Sequence, residues 1–207
     1  MDERRRAFLD DLLTTASPSG FETPATRVWV DYVEGFADDV HVDAYGNAIA
    51  TVEGPGEGDV AFGGHADEIG FIVREIDDEG FLSLSRIGGS DRTVTRGQHV
   101  VVHAEDPVHG VVGQTAVHLR DDDDGPVAVE NQHVDVGATS REAAAELVEV
   151  GDPVTFASGV EDLLGSRVAA RGMDNRVGVW AAAEGLRRAS ERGSEATVHA
   201  VATVQEE

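Results

Sequence analysis

The chain has 207 residues, enough for one large domain or two small ones around a real core. It carries 40 acidic against 16 basic residues, every base is Arg, and the formal net charge is −24. That balance argues against nucleic acid and anionic membrane surfaces as partners, since both need cationic contacts. Cysteine is absent, which removes disulfides and thiolate metal sites. No apolar run approaches the ~20 residues of a membrane span, and Met1-Asp2-Glu3-Arg4-Arg5-Arg6 is no signal peptide. A cytoplasmic protein is expected.

Arg4 to Thr14 places Phe8, Leu9, Leu12 and Leu13 at helical spacing. Ser17-Pro18-Ser19-Gly20 ends that helix. Thr23 is read as the cap of a second one, with Pro24 at its first position and Val28, Trp29, Tyr32, Val33 and Phe36 along it. Val40 to Asp43 and Asn47 to Val52 flank a hairpin turn, and Val60 to Gly63 predicts a buried strand leading into His65. From Gly70 to about Val160 short alternating strands dominate: Phe71 to Ile76, Phe81 to Ser85, His99 to His103 and Val108 to Gln114. They predict a small β-barrel or sandwich inserted between two α/β stretches, interrupted by a helix over Ser140 to Val148 with Ser140 as N-cap. After Leu164-Gly165, Asn175 to Arg192 reads as an Ala-rich helix and Ala196 to Val204 as a buried strand. The domain expectation is 1–69 and 161–207 as an α/β domain, with 70–160 as its β-rich insert.

Three segments carry chemistry. His65-x-Asp67 follows an apolar strand: imidazole binds a borderline metal, and a nearby carboxylate orients it through the second ring nitrogen. Asp174 opens a helix, either as a cap or as a ligand. Glu206 and Glu207 end the last strand, either as a solvated strand end or as a metal ligand beside a proton acceptor. Side chains alternate along a strand, so the two acids face opposite ways unless the chain turns. The other histidines, His41, His99, His103, His109, His118, His133 and His199, read as packing or surface residues, and Asp121 to Asp124 as a solvated loop. Gly88-Gly89 lacks the context of a phosphate cradle.

Ser17-Pro18-Ser19-Gly20-Phe21-Glu22, Asp43-x-x-Gly46-Asn47, Gly64-His65-Ala66-Asp67-Glu68-Ile69-Gly70-Phe71, Ile87-Gly88-Gly89, Val134-Asp135-Val136-Gly137-Ala138, Gly151-Asp152-Pro153-Val154, Asp174-Asn175-Arg176 and Gln205-Glu206-Glu207 occur in this order. Together they resemble the M42 family of metallo-aminopeptidases, which includes the TET and glutamyl aminopeptidases. The resemblance implies an α/β fold: a mixed-sheet, phosphorylase/hydrolase-like catalytic domain with an inserted β-barrel that mediates dimerisation. It implies two divalent ions (zinc, cobalt or manganese) held by His65, by Asp174 bridging both, and by Glu207. Asp67 would stand behind His65, and Glu206 would be the general base. The substrates would be peptides with a free amino terminus, and the assembly a homo-oligomer, from a dimer up to a dodecamer.

In that family an Asp and a His downstream of the Gln-Glu-Glu strand complete the site, and this chain ends first. It is therefore expected to be the N-terminal part of the enzyme, inactive alone, with its last strand an exposed edge. The alternatives are an assembly subunit without catalysis, or an amidohydrolase or deacylase on the same scaffold, whose relatives have carried an endoglucanase label. Dispersed acid with no Lys also resembles the protein style of extreme halophilic archaea, whose carboxylate surfaces stay hydrated in molar salt.

Overall fold

A computed structural model describes the chain except for Thr115, Arg120 to Asp124 and Pro126, so the acidic run at Asp121 to Asp124 lies outside the described residues. Helices α1 (Glu3–Thr14) and α2 (Thr23–Val33) come first, then strands β1 (Asp39–Val42), β2 (Ala48–Val52) and β3 (Asp59–His65). Next are β4 (Gly70–Ile76), β5 (Leu82–Ile87), β6 (His99–His103), β7 (Pro107–Val112), β8 (His133–Asp135), the short helix α3 (Arg141–Ala145) and β9 (Pro153–Phe156). A minor pair, β10 (Glu161–Asp162) and β11 (Val168–Ala169), precedes the long helix α4 (Met173–Arg192) and β12 (Thr197–Thr203). These elements form two units: Met1–Glu68 with Gly159–Glu207, and Ile69–Ser158.

The first unit is a four-stranded sheet in the order β1-β2-β12-β3 with helices packed on it. β12 runs antiparallel to β2 and parallel to β3, so the sheet is mixed. Its core joins Phe8 and Leu12 of α1, Trp29 and Val33 of α2, Ala48 and Ala50 of β2, Val179 and Leu186 of α4, and Ala200 of β12. Each fully buried Leu or Val there stabilises by about 1.5–3 kcal/mol. Small Ala residues on the sheet let the helices lie close. Polar ties lock the layer: Trp29 Nε1 donates to Val179 O at 2.9 Å, and the Tyr32 hydroxyl donates to Glu184 at 2.5 Å.

Three expectations are corrected here. The cap of α2 is not Thr23; the helix begins there and Glu22 takes the N-cap position without a side-chain capping bond. β3 is not buried: Val60 and Phe62 are 41% and 45% exposed, and among the described residues β3 pairs only with β12. The last strand is not an edge either, since β12 lies between β2 and β3 and its alternate residues Val198, Ala200 and Ala202 are buried. The sequence pattern gives apolarity, but strand order decides which apolar strand is covered.

The second unit is a closed barrel in the order β4-β5-β8-β7-β6-β9. Alternation along the strands sends Phe71, Val73, Leu82, Leu84, Val100, Val102, Val134 and Val154 into its interior. β8 and β9 are short strands that closure needs and that alternation alone does not single out. Ser140 does cap α3, accepting from Ala143 N at 3.2 Å, but the helix ends at Ala145, short of Val148.

Candidate metal centre

Thr203 on β12 lies opposite His65 on the parallel strand β3, so both strands deliver their C-terminal ends to one place. Open α/β sheets carry their sites at that end. Helix α4 crosses β3 very closely: a Cβ on Gly64 would stand 2.8 Å from both Gly178 C and Val179 N. Only glycine allows that approach, and it brings the head of α4 beside His65. Asp174 and Asn175 depart from helical geometry there, and the peptide between them is cis. Asp174 is not a cap, since Gly172 holds that position; its carboxylate Oδ1 lies 3.3 Å from His65 Nε2.

Beyond Thr203 the strand stops and the chain turns. Gln205 is the only described non-glycine residue with positive φ, at 58°. Three side chains hold the segment by its amides: Val204 N donates to Asn47 Oδ1 at 3.0 Å, Gln205 N to Glu22 Oε1 at 3.1 Å and Glu207 N to Asp67 Oδ2 at 2.9 Å. The turn cancels strand alternation, and both acids reach one imidazole. Ligand atoms of His65, Glu206 and Glu207 all lie within 4.8 Å of one another, and Glu206 Oε2 is 3.6 Å from His65 Nε2.

Asp67 sits on the other side of the ring, with Oδ1 3.4 Å from His65 Nδ1. Both atoms are buried and neither forms a hydrogen bond. A proton on Nδ1 facing Asp67 leaves the Nε2 lone pair aimed at Asp174, Glu206 and Glu207. Burial pushes the Asp67 carboxyl up, but hydrogen bonds from the Ser19 hydroxyl and from the Glu207 and Glu206 amides outweigh it and hold Asp67 below the usual carboxylate range. Glu207 moves the other way. Burial lifts it, and repulsion from Glu206, Asp67 and Asp174 adds to that against the pull of His65.

Beneath the site, Arg176 is fully buried and donates to Ala66 O (3.1 Å), to Leu12 O (2.7 Å), to Thr15 O and to Glu68 Oε1 (3.1 Å). Burial lowers its pKa and Glu68 opposes that. Glu68 also pairs with Arg171 and accepts from Ser17 N at 3.0 Å. The segment carrying His65 and Asp67 is thereby tied to α1 and α4.

All five residues singled out from sequence come together here. Ser19, Glu22, Asn47, Glu68 and Arg176 support them and had no assigned role, although each lies within a segment that carried the family resemblance. The arrangement is chemically specific. Carboxylate oxygens of Asp174 and Glu206 lie 3.3 and 3.6 Å from His65 Nε2, and Glu207 joins the same cluster. Oxygen and imidazole donors suit zinc, cobalt or manganese. The orphaned Nδ1–Asp67 pair is the orienting contact that such a ligand needs.

The class these features define is a mixed α/β protein with a carboxylate–histidine cluster at its strand ends. The sequence profile of the M42 glutamyl aminopeptidase family matches residues 46–207, and the chain belongs to that family. It is 34% identical to a lysyl aminopeptidase of Pyrococcus furiosus over 206 residues, 97% of this chain and 59% of that protein. A TET aminopeptidase from a marine sediment thaumarchaeon superposes with a TM-score of 0.93 at 34% identity, over 99% of this chain and 60% of its own. The Pyrococcus horikoshii TET1 peptidase, which assembles into a tetrahedron or a large octahedral shell, gives 0.86 at 33%, over 98% and 61%. The chain thus spans 59–61% of the length of these relatives. Among the described residues no helix is long and apolar enough to cross a membrane.

Proposed function

We propose that this chain contributes His65, Asp174, Glu207 and Glu206 to the two-metal centre of an aminopeptidase. The observation that carries the reading is the turn at Gln205, which brings Glu206 and Glu207 to the same imidazole. His65, Asp174 and Glu207 would hold the ions, and Asp67 would orient the ring of His65. Divalent ions, when bound there, would supply polarisation of the substrate carbonyl and acidification of water. Glu206, with its side chain 61% exposed, takes a proton from the attacking water and hands it to the departing amine as the C–N bond breaks.

These residues would give each ion two protein ligands, where a catalytic zinc normally has three. We place the remaining ligands in the part of the relatives that this chain does not span. We further propose a soluble, cytoplasmic homo-oligomer built through the barrel unit, whose surface exposes Val94, Leu147 and Val150 at 54%, 48% and 63%, and an acid surface adapted to molar salt. The test is hydrolysis of aminoacyl chromogenic amides by the native assembly in molar KCl. Chelation is expected to abolish it, cobalt or zinc to restore it, and N-acetylated substrates to be refused. Chelator-resistant turnover would overturn the reading.

A further inference from the structure

The geometry points to Glu22 as a positioning residue for the Glu206–Glu207 pair, an inference that rests on the function proposed above. Glu22 stands at the N-cap of α2, yet its carboxylate makes no capping bond to its own helix. It is 7% exposed, and its Oε1 accepts from Gly20 N at 2.8 Å and from Gln205 N at 3.1 Å. The carboxylate reaches away from its own helix to the one left-handed residue of the terminal segment. The neighbouring clamps act on other amides: Asn47, itself held by Asp43, takes Val204 N, and Asp67 takes Glu207 N.

Those two contacts fix where the segment enters and leaves, and Glu22 fixes the residue between. With Gln205 relaxed to φ < 0, the backbone would follow the strand and alternate faces, turning one of the two acids away from His65. Glu22 therefore sets the geometry of the acid pair without touching substrate or metal. The side chain of Gln205 is exposed, so this position is chosen by backbone conformation and not by packing.

The test is cobalt(II) titration of the native assembly in molar KCl, read by visible absorption. Glu22→Ala is expected to weaken cobalt binding by about tenfold or more and to alter the spectrum, as loss of a ligand's support does elsewhere. Glu22→Gln keeps an accepting oxygen and is expected to stay within about threefold of wild type. Gln205→Gly in the Glu22→Ala background should recover binding, because glycine takes positive φ freely. Gln205→Val, whose β-branch disfavours that φ, should weaken it in a chain whose core is untouched, which covers the case of a misfolded Glu22→Ala. Equal cobalt binding by wild type and by both Glu22→Ala and Gln205→Val overturns the inference. So does an equal loss in Glu22→Gln and Glu22→Ala, which would mark Glu22 as a charge and not a clamp. A wild-type native assembly with no cobalt spectrum overturns the proposed function, whereas normal binding by every variant overturns the inference alone.

Discussion

Replacing Arg176 by Met should destabilise the α/β unit substantially. The guanidinium is fully buried and donates to the carbonyls of Leu12, Thr15 and Ala66 as well as to Glu68. Each buried acceptor left unpaired costs about 1–3 kcal/mol, and breaking a buried ion pair costs about 3–5 kcal/mol. Glu68 keeps Arg171 as a counter-ion, so it is not stranded entirely, and the lower part of that range is the better estimate. At about 2–4 °C per kcal/mol for a chain of this size, a loss of about 3–4 kcal/mol lowers the melting temperature by roughly 6–16 °C. Both tryptophans, Trp29 and Trp180, lie in this unit, so intrinsic fluorescence follows its melting selectively. Because the pair is buried, the loss should persist in molar KCl, where an exposed bridge such as Arg141–Asp78 is screened away. A fall of less than about 2 °C in molar KCl would refute the assignment of Arg176 as the tie between α1, α4 and the His65 segment.

The raised Glu207 favours the protonated form in the folded state, so its contribution to stability is present below the unfolded pKa and is lost as pH rises through the folded value. Glu207→Gln should therefore raise the metal-free melting temperature at neutral pH while abolishing the rise that saturating cobalt gives wild type, about 5–10 °C at a hundredfold excess over Kd; calorimetry with and without metal checks both. Asp67 has the opposite sign. Its stabilisation holds above the unfolded pKa and fades as pH falls through the lowered folded value, so Asp67→Asn should flatten the acid limb of the stability–pH curve. Glu206→Gln should cut kcat of the assembled enzyme by about 10²–10⁴ and leave cobalt affinity within a few-fold, and an equal loss of metal would remove it from the role of base. With a net charge of −24, transfer from molar to low salt should lower the melting temperature, and a salt-indifferent curve would contradict a salt-adapted surface.

Chemistry was legible in the sequence where residue type and spacing carry it. His65, Asp67, Asp174, Glu206 and Glu207 could be named because imidazole and carboxylates at strand and helix ends are a recognisable donor set. Their convergence was not legible from periodicity, which places Glu206 and Glu207 on opposite faces. A single left-handed residue reverses that outcome, and Gln205 carries no sign of it, since the preference is imposed by Glu22, Asn47 and Asp67 from other parts of the chain. The exposure of β3 and the covering of β12 were hidden for a related reason. Both segments are short and apolar, and only pairing across long sequence separations says which one is internal. Arg176 was visible as a letter in a motif, but a fully buried guanidinium looks in sequence like any other surface Arg.

The central place of β12 has a consequence for synthesis. β2 and β3 are made before their common neighbour, and Asp59 cannot meet Thr197 until the whole barrel segment has emerged between them. The barrel closes on contacts drawn from residues 69–158 alone and is free to form first, on the ribosome. During that interval β2 and β3 present unpaired edges, the hazard that invites strands of neighbouring chains. Their like charge holds nascent copies apart. The order of elements therefore makes the joining of β2 to β3 and the assembly of the acid pair a single event, delivered by the same seven-residue strand.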